Sequence, residues 1–384
     1  MTLSVLIQVT HLLGAGHLTR AAALATACVE CGHRVTLVSG GMPNALSRHE
    51  NVDFIQLPPV RIQGTAFTRL LDADGAPVSE KYLAERQAMA VATVSECRPN
   101  IVLTELFPFG RRVLASEFLA VMTAARQQAR PVSIFASIRD ILAPPSRPER
   151  AQETLSRLTE YYDAVLVHGD ETIVPLDASW PVDDSLRPFL NYTGYIDNPA
   201  PPVGRNTREE APADIIVSGG SSAAGLKIFE TALATAKLSS RRWHLLVGNG
   251  VTDTNFERLS RDASANVQVE RARPDFRNLL EQASLSISQC GYNTAVDLLG
   301  LPVRRLFVPF EDGGETEQLL RARTLESRGL AKVLRQPDLA ADTLLDMTEN
   351  MLRTELARQA DIRLDGGMES VRIMERLYRE NRNG

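Results

Sequence analysis

The sequence predicts an α/β protein of two similar halves, each a doubly wound parallel sheet, and three observations carry that reading. Apolar runs of strand length alternate with helical patterns through both halves. A glycine-rich turn follows the first strand of each half: Gly14-Ala15-Gly16-His17 after Val5-Leu6-Ile7-Gln8-Val9, and Ser218-Gly219-Gly220-Ser221-Ser222 after Ile215-Ile216-Val217. The chain of 384 residues is also too long for one ordinary core.

In the first half the strand candidates are Val5–Val9, Arg34–Val38, Val52–Gln56, Ile101–Thr104, Val132–Ser137 and Ala164–His168. Each is rich in β-branched and aliphatic residues, as strands covered on both faces require. Helical patterns over Ala21–Cys31, Leu83–Glu96, Arg112–Arg126 and Arg150–Tyr161 separate them. The stretch Ile62–Glu80, with Gly64, Asp72, Asp74, Gly75 and Pro77, lacks periodicity and reads as a loop bordering a site or covering it. Asp72-Ala73-Asp74 within it reads as a turn, not a metal site. A linker is expected over 197–212, where prolines, a glycine and mixed charges replace apolar residues.

The second half repeats the plan with strands at Ile215–Val217, His244–Val247, Val267–Glu270, Leu285–Ser288, Val303–Phe307 and Lys332–Val333. Helices are expected near Gly225–Ala236, Phe276–Gln282, Asn293–Leu299, Gln318–Arg328 and Leu339–Leu352. An amphipathic pattern from Met368 to Tyr378 ends the chain. The predicted division is a domain over 1–196, the linker, and a second domain over 213–384, whose terminal helix (366–384) is free to pack back on the first.

Composition excludes several classes. With 44% hydrophobic and 23% charged residues and a formal net charge of −5, there is no basic field for nucleic acid. The first residues run directly into a strand with no charged leader, and no apolar stretch approaches membrane-spanning length, so a cytoplasmic protein is expected. Cys28 and Cys31 fall on an apolar helix face and read as core. Arg61-Ile62, Phe67–Leu71 and Phe107–Arg112 mix apolar and basic groups, a pattern compatible with peripheral contact to the inner membrane or with core plus solvated arginines.

Ligands of such sheets bind beyond the carboxyl ends of the strands, which selects the residues to weigh. Gly14 and Gly16 let backbone N–H groups approach an anion, and His17 follows at the start of a helix. Glu105 ends the fourth strand and is placed to orient His17, while Asp140, after the fifth, is a second acidic candidate with Arg139 beside it. In the second half Gly291 permits close approach, Asn293 or Thr294 can cap a helix, and Asp297, one turn along, can accept from a ribose diol. The acidic, glycine-broken loop Glu311–Glu315 opens another helix at Glu317 and Gln318.

Taken together, these motifs resemble the GT-B glycosyltransferases of the MurG-like group, over nearly the whole chain. The resemblance rests on the Gly14–His17 turn, the Ser218–Ser221 turn, and the Asp275–Ala322 stretch with its Gly-x-x-Thr-x-x-acid helix, Leu-Pro, Pro-Phe and Glu-Gln steps in order. Glu105–Arg112 and Tyr192–Tyr195 look more like a bacterial branch of predicted glycosyltransferases than the peptidoglycan enzyme.

The resemblance implies two Rossmann-like domains facing an interdomain cleft, and transfer of a sugar from a nucleotide diphosphate to an acceptor hydroxyl. It implies that Ser218, Gly219, Gly220, Ser221 and Ser222 cradle the donor diphosphate, with Arg271 and Phe276 at the nucleobase. Gly291, Asn293 and Thr294 would line the donor, Asp297 would take the ribose, and Glu317 with Gln318 the sugar. Asp297 and Glu317 stand where the family usually has Glu and Gln. The acidic loop suits a neutral or amino sugar.

The donor, a UDP-sugar, would be a substrate, with no cofactor and no metal, and the reaction inverting, with His17 as base, in glycan, glycolipid or natural-product synthesis. The acceptor would be a small molecule, a glycan or a lipid-linked sugar. The same fold could instead hydrolyse or epimerise a nucleotide sugar, or bind one without turnover.

Overall fold

The computed structural model describes residues 1–44, 50–63, 69–197, 213–220, 225–273, 275–356 and 362–383. The linker expected over 197–212 lies, from residue 198 onward, outside the described residues, as do Ser221 and Ser222. The chain divides into two compact units, Met1–Ile196 with Arg363–Gly384, and Asp197–Ile362.

The first unit is built on β1 (Ser4–Val9), β2 (Arg34–Ser39), β3 (Val52–Gln56), β4 (Ile101–Glu105), β5 (Ser133–Arg139), β6 (Ala164–His168) and β7 (Leu190–Tyr192). They form one parallel sheet in the order β3-β2-β1-β4-β5-β6-β7. Helices α1 (Gly16–Glu30), α2 (Glu80–Cys97), α3 (Ala115–Arg126) and α4 (Pro148–Tyr161) make the crossovers.

Alternation along each strand feeds two cores. Leu6, Val38, Val102 and Ile134 belong to one. Val5, Ile7, Leu37, Leu103 and Phe135 belong to the other, as expected of a sheet covered on both faces. The terminal helix α11 (Gly366–Asn383) belongs to this unit, not to the half whose sequence it follows. Its Val371, Ile373, Met374 and Tyr378 share a core with Leu24 and Cys28 of α1.

The second unit has β8 (Ile215–Ser218), β9 (Trp243–Val247), β10 (Val267–Arg271), β11 (Leu285–Ser288), β12 (Arg304–Phe307) and β13 (Lys332–Val333). Its parallel sheet runs β10-β9-β8-β11-β12-β13. Around it lie α5 (Leu226–Ala236), α6 (Asp253–Asp262), α7 (Phe276–Gln282), α8 (Tyr292–Leu299), α9 (Glu317–Ser327) and α10 (Ala341–Arg353).

In both sheets the strand order reverses beside the first strand, between β1 and β4 and between β8 and β11. Crevices open at such switch points because successive connections leave on opposite faces.

Of the stretch 62–80, expected to border a site or cover it, residues 64–68 lie outside the described residues. Leu71 bridges both Arg61 and Pro77, Ile62, Leu70 and Leu71 are buried, and Ser79 caps α2 by accepting from Tyr82 N–H. Asp72 makes a turn, its carboxylate accepting from the N–H groups of Asp74 and Ala76. Phe107 and Phe109 are also core, stacked on Phe118 and edge-on to Trp180. These apolar side chains therefore present no membrane-facing surface; Phe67 lies outside the described residues.

Candidate active site

The switch point of the first sheet brings together residues from three elements. Gly14 takes φ 56°, a conformation open to glycine, and turns the chain from β1 into α1. His17 is the second residue of that helix, and Arg20, three residues on, shares its face. Glu105 is the last residue of β4 and pairs in register with Ser137 of β5.

His17 Nδ1 lies 2.8 Å from Glu105 Oε1. Arg20 donates through Nη2 to the same carboxylate oxygen and approaches His17 Nδ1 at 3.1 Å. Ser137 Oγ donates to Glu105 Oε2 at 2.6 Å. Because an ionised carboxylate only accepts, His17 carries its proton on Nδ1 and presents the Nε2 lone pair. Nε2 hydrogen-bonds no described residue, and the side chain is 15% exposed.

The electrostatics separate the two groups. Burial opposes ionisation of Glu105, but the Arg20 guanidinium and the hydrogen bonds from His17 and Ser137 outweigh it and hold the carboxyl well below the usual range. Burial and the Arg111 guanidinium, with a smaller push from Arg20, lower His17 to about 3 against the pull of Glu105. The histidine is neutral and the glutamate ionised, the charge state of a base with its orienting acid.

Asp140 is fully buried and accepts the N–H of Ile141 at 2.9 Å. Sequence reasoning missed Arg20 and Arg111. The first was signalled by its helical spacing from His17. The second sits on the turn after β4 in the left-handed region (φ 57°), with its Nε donating to Thr10 O. Its Nη atoms hydrogen-bond no described residue.

The histidines make stability depend on pH in a definite sense. His17 and the buried His168 are both lowered to about 3, and burial also lowers His11 and His33. The unfolded chain protonates each near 6.5 while the folded chain does not, so stability is lost as pH falls below that value. For His168 alone the loss from pH 7.5 to 5 is about 2 kcal/mol. Asp297 and Glu117, raised by burial, act in the opposite direction. Thermal unfolding of wild type and His168→Gln at both pH values isolates the effect: the variant should lose several degrees less on acidification, and equal losses would refute it.

The second unit has its own cluster at the β8/β11 switch point. Ser218 ends β8, and Gly219 and Gly220 follow. A Cβ on Gly219 would meet Gly225 Cα at 2.6 Å, so glycine is required where the turn folds onto the approach to α5. Gly291 stands at the N-cap of α8 with no side-chain cap, and Asn293 and Thr294 lie inside the helix, contrary to the capping expected of them. Gly291 itself thus supplies no side-chain acceptor to the first N–H groups of α8.

Gln318 Oε1 accepts from both Cys290 N–H and Phe310 N–H at 3.1 Å, tying together the turns after β11 and β12. Glu317 is turned inward: Arg321 donates to it at 2.9 Å and to Cys290 O at 2.8 Å. Arg271 is likewise engaged, donating to Val251 O at 2.8 Å, pairing with Asp253 and lying over the Phe256 ring. Phe276 opens α7, half-buried. The acidic loop is partly neutralised, because Glu311 pairs with Arg335.

Asp297 behaves differently. Burial pushes its carboxyl up to about 7, with Arg277 opposing and Asp197 adding to the rise. It hydrogen-bonds no described residue, whereas Arg277 is committed to Asp197. A desolvated carboxylate without a donor gains most from a ligand that supplies hydroxyls.

Residues 214–377 match the family model "Glycosyltransferase family 28 C-terminal domain". A UDP-N-acetylglucosamine--N-acetylmuramyl-(pentapeptide) pyrophosphoryl-undecaprenol N-acetylglucosamine transferase of Paraburkholderia xenovorans is 27% identical over 166 residues, covering 42% of this chain and 45% of that protein. The match thus spans about half the length of such relatives.

Among solved structures, Acinetobacter baumannii MurG superposes with a TM-score of 0.57 at 17% identity, covering 99% of this chain and 95% of that one. The calicheamicin glycosyltransferase CalG4 superposes at 0.60 and 15% identity, with the same coverages, 99% and 95%. The fold is that of the GT-B glycosyltransferases. Among the described residues no helix is long and apolar enough to cross a membrane.

Proposed function

With a family 28 C-terminal domain carried on a GT-B fold, we propose that the protein transfers a sugar from a nucleotide-diphosphate donor to an acceptor hydroxyl. The observation that carries this reading is His17, set on a glycine turn at the switch point with Nδ1 held by Glu105 and Nε2 open. Simple binding has no use for an oriented, neutral imidazole.

His17 Nε2 takes the acceptor proton as the hydroxyl attacks the anomeric carbon, and Glu105 stabilises the imidazolium that forms. Attack opposite the leaving group inverts the anomeric centre. On the second unit the Gly219-Gly220 turn and the N-terminal end of α8 take up the charge of the departing diphosphate, and Asp297 accepts from the ribose. We assign a UDP-sugar as donor, with bacterial glycan or glycolipid synthesis as setting and the cytoplasm as compartment. The uncommitted Nη donors of Arg111 beside His17 favour an acceptor with an anionic group near its reacting hydroxyl. Such a group would cancel the charge that weakens His17 as a base.

A thermal-shift series with UDP-, dTDP- and GDP-sugars tests the donor half of the reading. UDP-sugars should stabilise the wild type, and Asp297→Ala should weaken binding at least about tenfold, the cost of losing hydrogen bonds to a charged group. No shift with any nucleotide sugar would overturn the assignment. Donor consumption at full rate without acceptor would instead identify a hydrolase.

A further inference from the structure

Behind Glu105 the hydrogen-bonding chain continues through the sheet. Ser137 Oγ lies 2.9 Å from His168 Nε2, and His168 Nδ1 lies 3.0 Å from Thr193 Oγ1. Ser137, His168 and Thr193 are fully buried, on β5, at the end of β6 and just after β7. None of them touches the open face of His17, and the mechanism above makes no use of them.

The direction of this chain is fixed by counting protons. Ser137 has one hydroxyl proton, and its 2.6 Å contact with the ionised Glu105 claims it. Ser137 Oγ can then only accept from His168, so Nε2 carries the proton of that ring. A neutral ring leaves Nδ1 as an acceptor, and Thr193 supplies the hydroxyl proton to it. Thr193 Oγ1 also stands 2.8 Å from Gly194 O and 3.3 Å from Val167 O. Were its proton given to Gly194 O, Nδ1 would have to donate. His168 would then be a cation, or would turn its Nε2 lone pair onto Ser137 Oγ. Burial opposes the first and the serine lone pairs oppose the second.

We propose that Thr193, His168 and Ser137 form a one-directional relay of positioning residues that fixes Glu105, and through it the Nδ1–H tautomer of His17. This rests on the reading of His17 as the base. The physical reason for such a relay is that Glu105 Oε1 is shared between Arg20 and His17. A carboxylate free to rotate would turn both oxygens toward the guanidinium. The Ser137 bond on Oε2 holds the other oxygen away, keeping Oε1 available to the imidazole, and His168 keeps the serine proton pointed at Oε2. Lowering of His168 by burial, with a further push from Arg20, agrees with a neutral ring at that position.

The test uses the full chain labelled with 15N-histidine, in which His17, His168 and the other four histidines are resolved by long-range proton–nitrogen correlation. Wild type should show His17 as the Nδ1–H tautomer and His168 as the Nε2–H tautomer. Ser137→Ala and His168→Leu should each mix the His17 tautomers and lower kcat about tenfold, at the lower end of what loss of an outer-shell partner costs at other sites, with KM for the donor unchanged. His168→Gln, whose amide can donate from the Nε2 position, should restore the tautomer and at least a third of the rate.

A His17 tautomer unchanged in both Ser137→Ala and His168→Leu would overturn the proposal, as would a cationic His168 in wild type. If one of these variants fails to fold, the other tests the same link. Tautomer mixing without sugar transfer in any of the proteins would support the relay while defeating the transferase reading; transfer that survives with unmoved tautomers would do the reverse.

Discussion

Replacing His17 with alanine is expected to lower kcat by on the order of a hundredfold or more, the usual contribution of a positioned general base. The side chain makes one hydrogen bond of consequence, to Glu105, and is partly open, so its removal leaves no buried group without a partner: Glu105 keeps Arg20 and Ser137. Stability should therefore change little, and at a pH below 6.5 it should rise relative to wild type, because the folded protein no longer excludes that proton. KM for the donor should stay near its original value, since the residues proposed above to hold the donor belong to the second unit. Steady-state kinetics with acceptor present decide the point: a near-normal rate would remove His17 from the chemistry.

Much of this site was legible in the sequence because strand ends and glycine turns are local signals. The apolar runs locate the strands, and the rule that ligands gather at their carboxyl ends picks out His17 and Glu105. What was not legible depends on register. Ser137 and His168 lie on different strands and Thr193 just after a third, and only the pairing of β4, β5 and β6 brings Ser137 to Glu105 and His168 to Ser137. No spacing in the chain announces that.

Two elements escaped for other reasons. α6 buries only Leu259, leaving too little apolar pattern to mark a helix despite the Thr252 cap. β7 is three residues long at the sheet edge. In the second unit sequence reasoning named residues at the correct strand ends but could not see which were already committed, as Glu317 is to Arg321 and Arg271 to the 248–253 turn.

Replacing Glu105 with leucine is expected to have two separable effects. The first is on stability. Arg20 is 3% exposed and pairs with Glu105, so deleting the carboxylate removes a counter-charge from a buried guanidinium, at a cost of about 3–5 kcal/mol. The second is on rate. Without an acceptor at Nδ1 the imidazole loses its preferred tautomer and the counter-charge for its protonated form, so kcat should fall on the order of a hundredfold or more.

The double variant Glu105→Leu with Arg20→Met distinguishes the two. Removing both charges and keeping apolar volume should recover most of the lost stability, because a buried pair replaced by packed hydrophobic groups is often near neutral. The rate should not recover, since the imidazole still lacks the acceptor that Glu105 supplies at Nδ1. Chemical denaturation and kinetics on wild type, Glu105→Leu and the double variant read both quantities. Recovery of the rate along with stability would mean that Glu105 serves the fold alone, and that His17 owes its orientation to something other than the carboxylate 2.8 Å away.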